Sequence, residues 1–80
     1  MNKKNKRPFA KCVGHSLKRY LKDLNGETPS ELYDLVISQV EKPLLEIVMR
    51  RASNNQSRAA QMLGINRNTL RKKLRDHGLI

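Results

Sequence analysis

Gly64 constrains this chain more than any other residue. It sits between two short helical patterns in the stretch "NQSRAAQMLGINRNTLRKKLRDHGLI", residues 55–80. Asn55 is placed to cap a first helix over Gln56 to Leu63. Gly64 then falls where a helix ends on a residue of positive φ. Asn66 can cap a second helix, running from Arg67 to about His77 before Gly78. Ala60, four residues ahead of Gly64, is small where the two helices must approach closely. Leu63, Ile65, Leu70 and Leu74 share an inward face and hold the pair at a fixed angle. A chain committed to helix, tight turn and helix over 53–80 has little room for anything but an all-α fold.

The preceding residues carry the same period. Leu17, Tyr20, Leu21 and Leu24 fall at i, i+3, i+4 and i+7, which predicts a helix of about ten residues. Ser16 is its expected N-cap and Asn25-Gly26 its left-handed stop. Residues 1–15, with Pro8, Gly14 and the run "KKNKR", read as a mobile basic arm. "TPSE" (28–31) predicts a capping box, with Pro29 at the first helical position. From there Leu32, Leu35, Val36, Val40, Leu44, Ile47 and Val48 recur with helical spacing to about Arg51. Pro43 lies in the middle, yet the apolar register is not reset across it. The pattern therefore predicts one kinked helix, not two. The expectation is four helices, with 16–52 as two amphipathic ones, the second of them over twenty residues long.

Those two helices present more apolar surface than the terminal pair can cover. With Leu45 and Met49 added, the second is apolar around much of its circumference. A domain of 80 residues is near the lower limit for a self-sufficient core. A homodimer, with its two-fold axis across residues 16 to 50, is the economical solution.

Charge points to a partner. The formal net charge is +10, and it is segregated. Residues 1–26 hold eight Lys/Arg and one acid, residues 27–49 one Lys and five acids, and residues 50–80 eight Lys/Arg and one acid. Basic ends on a small domain favour a polyanion. The outward face of the last helix reads Asn66, Arg67, Asn68, Thr69, Arg71, Lys72, Lys73 and Arg75, all hydrogen-bond donors and none acidic. In the major groove of duplex DNA, Arg can fork onto guanine and Asn onto adenine. Arg71, Lys72 and Lys73 are better placed for phosphates as the helix leaves the groove. Asn55 and Ser57 open the preceding helix, where free backbone N–H groups favour a phosphate.

Other classes fit poorly. Cys12, His15 and His77 are scattered without a carboxylate partner at useful spacing, so neither catalysis nor a metal or cofactor site is expected. The basic regions lack the aromatic platforms that single-strand binders use. The single cysteine fits a reducing compartment, and no apolar run is long enough for a membrane span. Together these set the expectation of a cytoplasmic protein.

The stretch "NQSRAAQMLGINRNTLRKKLRDHGL" closely resembles the end of the Fis (factor for inversion stimulation) family of bacterial nucleoid proteins. "LNGETPSELYDLVISQVEKPLLEIVM" resembles the middle of the same family, including the proline within the long helix. The resemblance covers about residues 16–80. It implies an intertwined homodimer built on the first two helices, with one helix-turn-helix projecting from each subunit. Recognition helices so arranged lie closer together than one DNA turn, so the duplex must bend to receive both. The family reads degenerate sites, largely through minor-groove narrowing in an A·T-rich centre. It organises the nucleoid, regulates transcription and assists site-specific recombination. Carried over by motif, Asn55, Ser57, Asn66, Arg67, Thr69, Arg71, Lys72 and Lys73 contact DNA, with Asn66 and Arg67 reaching base edges. Implied partners are duplex DNA, a second copy, and RNA polymerase or a recombinase.

There are departures from the family pattern. The enteric members carry a longer amino-terminal region with a mobile β-hairpin that contacts the DNA invertase, which the short arm here does not resemble. Asn68 replaces a glycine of the best-known members, and Asp76 replaces a base. Enhancer-binding activators end in a similar module. The initiating Met and the lack of an ATPase domain fit a free-standing member better. The alternative to nucleoid organisation is a local transcription regulator with the same helix-turn-helix.

Overall fold

The computed structural model describes residues 8–80, and the "KKNKR" portion of the expected arm lies outside them. Four helices follow in order: α1 (Pro8–Asp23), α2 (Leu32–Arg51), α3 (Gln56–Leu63) and α4 (Arg67–Asp76). No strand occurs among the described residues. The fold is all-α, as the hydrophobic period requires.

Two boundaries differ from the sequence expectation. The first helix starts at Pro8, so residues 8–15 are helical and Ser16 lies inside α1, not at its cap. Proline is well suited to a first turn, because the N–H it lacks has no helical partner there. Phe9 and Val13 extend the register of Leu17 backwards by four-residue steps. Gly14, which reads as a breaker, is tolerated inside a helix at about 1 kcal/mol. The second helix starts at Leu32, not at Pro29. Glu31 has φ +53°, outside helical geometry, and its carbonyl accepts from the Leu35 N–H at 3.1 Å. Glu31 therefore precedes the helix and cannot occupy the third helical position that the "TPSE" box demands.

The chain divides into two compact units, Met1–Val36 and Ile37–Ile80. Among the described residues of the first unit none is fully buried. Val13, Leu17, Leu24, Leu32, Leu35 and Val36 reach only partial cover. The second unit has a true core: Leu45, Ala52, Ala59, Ala60, Leu70 and Leu74, each at most 4% exposed. Val48, Met49, Leu63, Ile65 and Leu79 pack around it. Half of α2 thus shares one core with α3 and α4. Three of its six buried residues are alanines, so the helices lie close and the core is thin.

Helix α2 runs unbroken through Pro43. Its other face is not covered. Tyr33, Ile37, Val40, Leu44 and Ile47 are between 43% and 75% exposed. Their spacing alternates four and three residues, the period of a helix–helix seam.

Candidate nucleic-acid interface

The last two helices are positioned by backbone devices that the sequence encodes locally. Asn55 adopts an extended backbone, and its Oδ1 accepts from the Arg58 N–H at 3.1 Å. Gly64 has φ +72°, and the Ile65 N–H donates to the Ala60 carbonyl at 3.0 Å. That is a Schellman closure, with Ile65 packed on the core as its apolar partner. Asn66 then caps α4, its Oδ1 accepting from the Asn68 N–H at 2.7 Å. A second closure ends α4, where the Leu79 N–H donates to the Leu74 carbonyl at 2.8 Å over Gly78 at φ +68°. A third ends α2, from the Asn54 N–H to the Met49 carbonyl at 2.8 Å. Here Ser53 and Asn54 take positive φ without a glycine.

Leu70 and Leu74 are fully buried and fix which face of α4 turns inward. The opposite face presents Arg67, Asn68, Thr69, Arg71, Lys72 and Arg75, all exposed. The eight residues expected to contact DNA divide into three groups. Ser57, Arg67, Thr69 and Arg71 are exposed and carry no side-chain hydrogen bond or ion pair among the described residues. Asn55 and Asn66 are caps, each Oδ1 accepting one backbone N–H. Each Oδ1 keeps a second lone pair beside its cap bond, and each amide keeps its two donors.

Lys72 and Lys73 form the third group, being paired with carboxylates. Lys72 Nζ lies 3.0 Å from Asp76 Oδ2, one turn on, with both side chains more than half exposed. Such an exposed pair contributes little to stability. Lys73 is different, because it is only half-exposed and its Nζ donates to Glu41 Oε2 at 2.8 Å. The other oxygen of Glu41 accepts from His77 Nε2 at 2.9 Å. An ionised carboxylate only accepts, so His77 must carry its proton on Nε2. One carboxylate of α2 thus holds Lys73 of α4 and His77 at its C-cap. The hydrogen bond from Lys73, then that from His77, holds the Glu41 carboxyl below its ordinary range against partial desolvation.

Glu41 is a residue that sequence reading missed. It lies 32 and 36 positions from its partners, and no local pattern links them. The described residues hold no cluster of His, Cys, Asp and Glu arranged for a metal ion. Cys12 is exposed and unpaired. None of their helices is long and apolar enough to cross a membrane.

A profile described as "Bacterial regulatory protein, Fis family" matches residues 36–77, nearly the span of the second compact unit. A "Putative Fis-like DNA-binding protein" of Ralstonia nicotianae is 58% identical over 76 residues, 95% of this chain and 99% of the relative. One of the same name from Neisseria meningitidis serogroup B is 56% identical over 72 residues, 90% of this chain and 91% of its own. The "DNA-binding protein Fis" of Mannheimia haemolytica is 55% identical over 73 residues, 91% of this chain and 74% of its own.

Proposed function

The chain belongs to the Fis family of bacterial regulatory proteins, and on that premise we propose that it works as a homodimer that binds and bends duplex DNA. It acts as a nucleoid-associated regulator of transcription. One observation carries the DNA-binding part: an exposed, acid-free first turn and a half on α4, rigidly set by two buried leucines and two glycine-closed caps. Arg67 is the candidate for base-edge contact, since it is the first helical residue and its guanidinium enters no ion pair among the described residues. Asn66 beside it keeps a lone pair and two amide donors for a base edge, and Thr69, Arg71, Lys72, Ser57 and Asn55 suit phosphates. Lys73 has its ammonium partly committed to Glu41 and serves first as an anchor for α4.

The dimer reading is supported by the uncovered seam on α2. Five apolar side chains at alternating four- and three-residue spacing match what a second helix would cover. Bending, and RNA polymerase or a recombinase as protein partners of the bent complex, stand on the family resemblance alone.

The test is a gel-mobility series with one A·T-centred site moved along fragments of equal length. Mobility that depends on site position, at one dimer per site, is the expected result. Mobility that ignores position would mean a local regulator on unbent DNA. No discrete complex at moderate salt would remove the DNA-binding reading altogether.

A further inference from the structure

Helix α1 carries a second basic surface that the reading above does not use. Lys11, His15, Lys18 and Lys22 fall at i, i+4, i+7 and i+11, one line along the helix, with Arg19 beside it. All five are exposed. No acid interrupts the line, since α1 holds no carboxylate before Asp23. None of the five enters an ion pair among the described residues. A helix face that merely keeps a protein soluble usually mixes signs at i,i+4. This one is of a single sign for three turns.

Its direction matters as much as its charge. The half-buried side of α1 is marked by Val13, Leu17 and Leu24. At 100° per residue the Lys11–Lys22 line is centred about 150° away from it. Whatever covers the apolar side, a partner subunit included, leaves the basic line in solvent. The same geometry argues against a membrane surface. A helix lying on lipid buries its apolar face, and that would aim these lysines away from the headgroups. The spacing suits a duplex instead. Lys11 to Lys18 spans about 10 Å and Lys18 to Lys22 about 6 Å along the axis. The whole line spans about 16 Å, so a helix laid across the minor groove, about 6 Å wide, can set cations on both of its phosphate walls.

We propose that the basic line of α1, Lys11, His15, Lys18 and Lys22, is a second duplex-binding surface, with which a protein bound to one DNA segment holds another. It takes phosphate backbone without sequence preference, and it rests on the reading above only in that α4 holds the first segment.

The test uses the full-length protein. A duplex with one A·T-centred site is fixed to beads, loaded with protein and washed, and a labelled duplex of unrelated sequence is added. Wild type should retain the labelled duplex. A Lys11→Gln, Lys18→Gln, Lys22→Gln triple variant should form the site complex as before yet retain about tenfold less label. A triple Lys→Arg variant should retain it fully, which separates charge from any loss of helix. Equal retention by the Gln variant would overturn the proposal, and so would failure of wild type to retain any label. Joint loss of the site complex would also overturn it, by placing the line on the first duplex. Stripe-dependent capture of phosphatidylglycerol vesicles without capture of DNA would assign the surface to lipid and overturn it too. Failure of the α4 reading is distinguishable, because then no site complex forms on the beads at all.

Discussion

At the scale of single residues, the site combines free donors with donors already in use. Arg67 is the clearest free one. Substituting Arg67→Ala should weaken binding to a specific site by about 1–3 kcal/mol while changing binding to unrelated duplex much less. Titrations on both DNAs measure this, and an unchanged preference between them would remove Arg67 from base contact. Glu41 acts from the other side of α4. Its folded pKa is depressed, so its contribution to stability is complete above the ordinary glutamate value of about 4.3 and fades as pH falls through the folded value. Glu41→Gln should therefore cost about 1 kcal/mol at pH 7, as a partly exposed pair does, with the gap to wild type closing below about pH 4. Urea unfolding at several pH values reads it directly, and a gap that persists unchanged in acid would mean the ion pairs are not its source. The two residues also differ in how visible they were. Arg67 follows an asparagine cap in a motif of a few residues, so chain order alone places it. Glu41 acts on residues more than thirty positions away, and only the packing of α2 on α4 brings them together.

Helix ends show the same division at the scale of elements. The ends of α3 and α4 were readable because each is set by a local device, an asparagine cap or a glycine at positive φ. Where several local devices compete, chain order is less decisive. Pro8 and Gly14 both act as breakers in many settings, but Pro8 fits a helix start and the apolar register runs through Gly14. "TPSE" has every letter of a capping box, yet the left-handed Glu31 moves the start to Leu32. Gly64 is the device with the most riding on it. A Cβ added there meets nothing within 4 Å, so the penalty is one of backbone conformation and not of crowding. Gly64→Ala should then destabilise the chain by about 1 kcal/mol, the steric penalty of a side chain at positive φ. Thermal unfolding gives the value. A drop several times larger would show that the turn also depends on close approach by another group.

The whole molecule raises the question of what completes its core. The second unit buries six small or medium side chains, and the described part of the first buries none. Meanwhile α2 leaves Tyr33, Ile37, Val40, Leu44 and Ile47 in solvent along a seam with coiled-coil spacing. A domain of 80 residues is near the lower limit at which a core offsets the entropy of ordering its helices. The excess of apolar face was legible in the sequence. Its division into a core side through Leu45 and a seam side through Leu44 was not, because adjacent leucines differ only by where the helix is rotated. If a second copy covers the seam, folding and association are one equilibrium, and the melting temperature must rise with protein concentration. Leu44→Glu places a charge in the middle of the seam while leaving Leu45 and the helix-turn-helix core untouched. It should yield a monomer in analytical ultracentrifugation at concentrations where wild type is dimeric. It should also lower the melting temperature and remove its concentration dependence. A wild-type melting temperature that stays constant over a hundredfold range of concentration, with a monomeric mass throughout, would refute the dimer. The seam would then have to meet something other than a second copy of this chain.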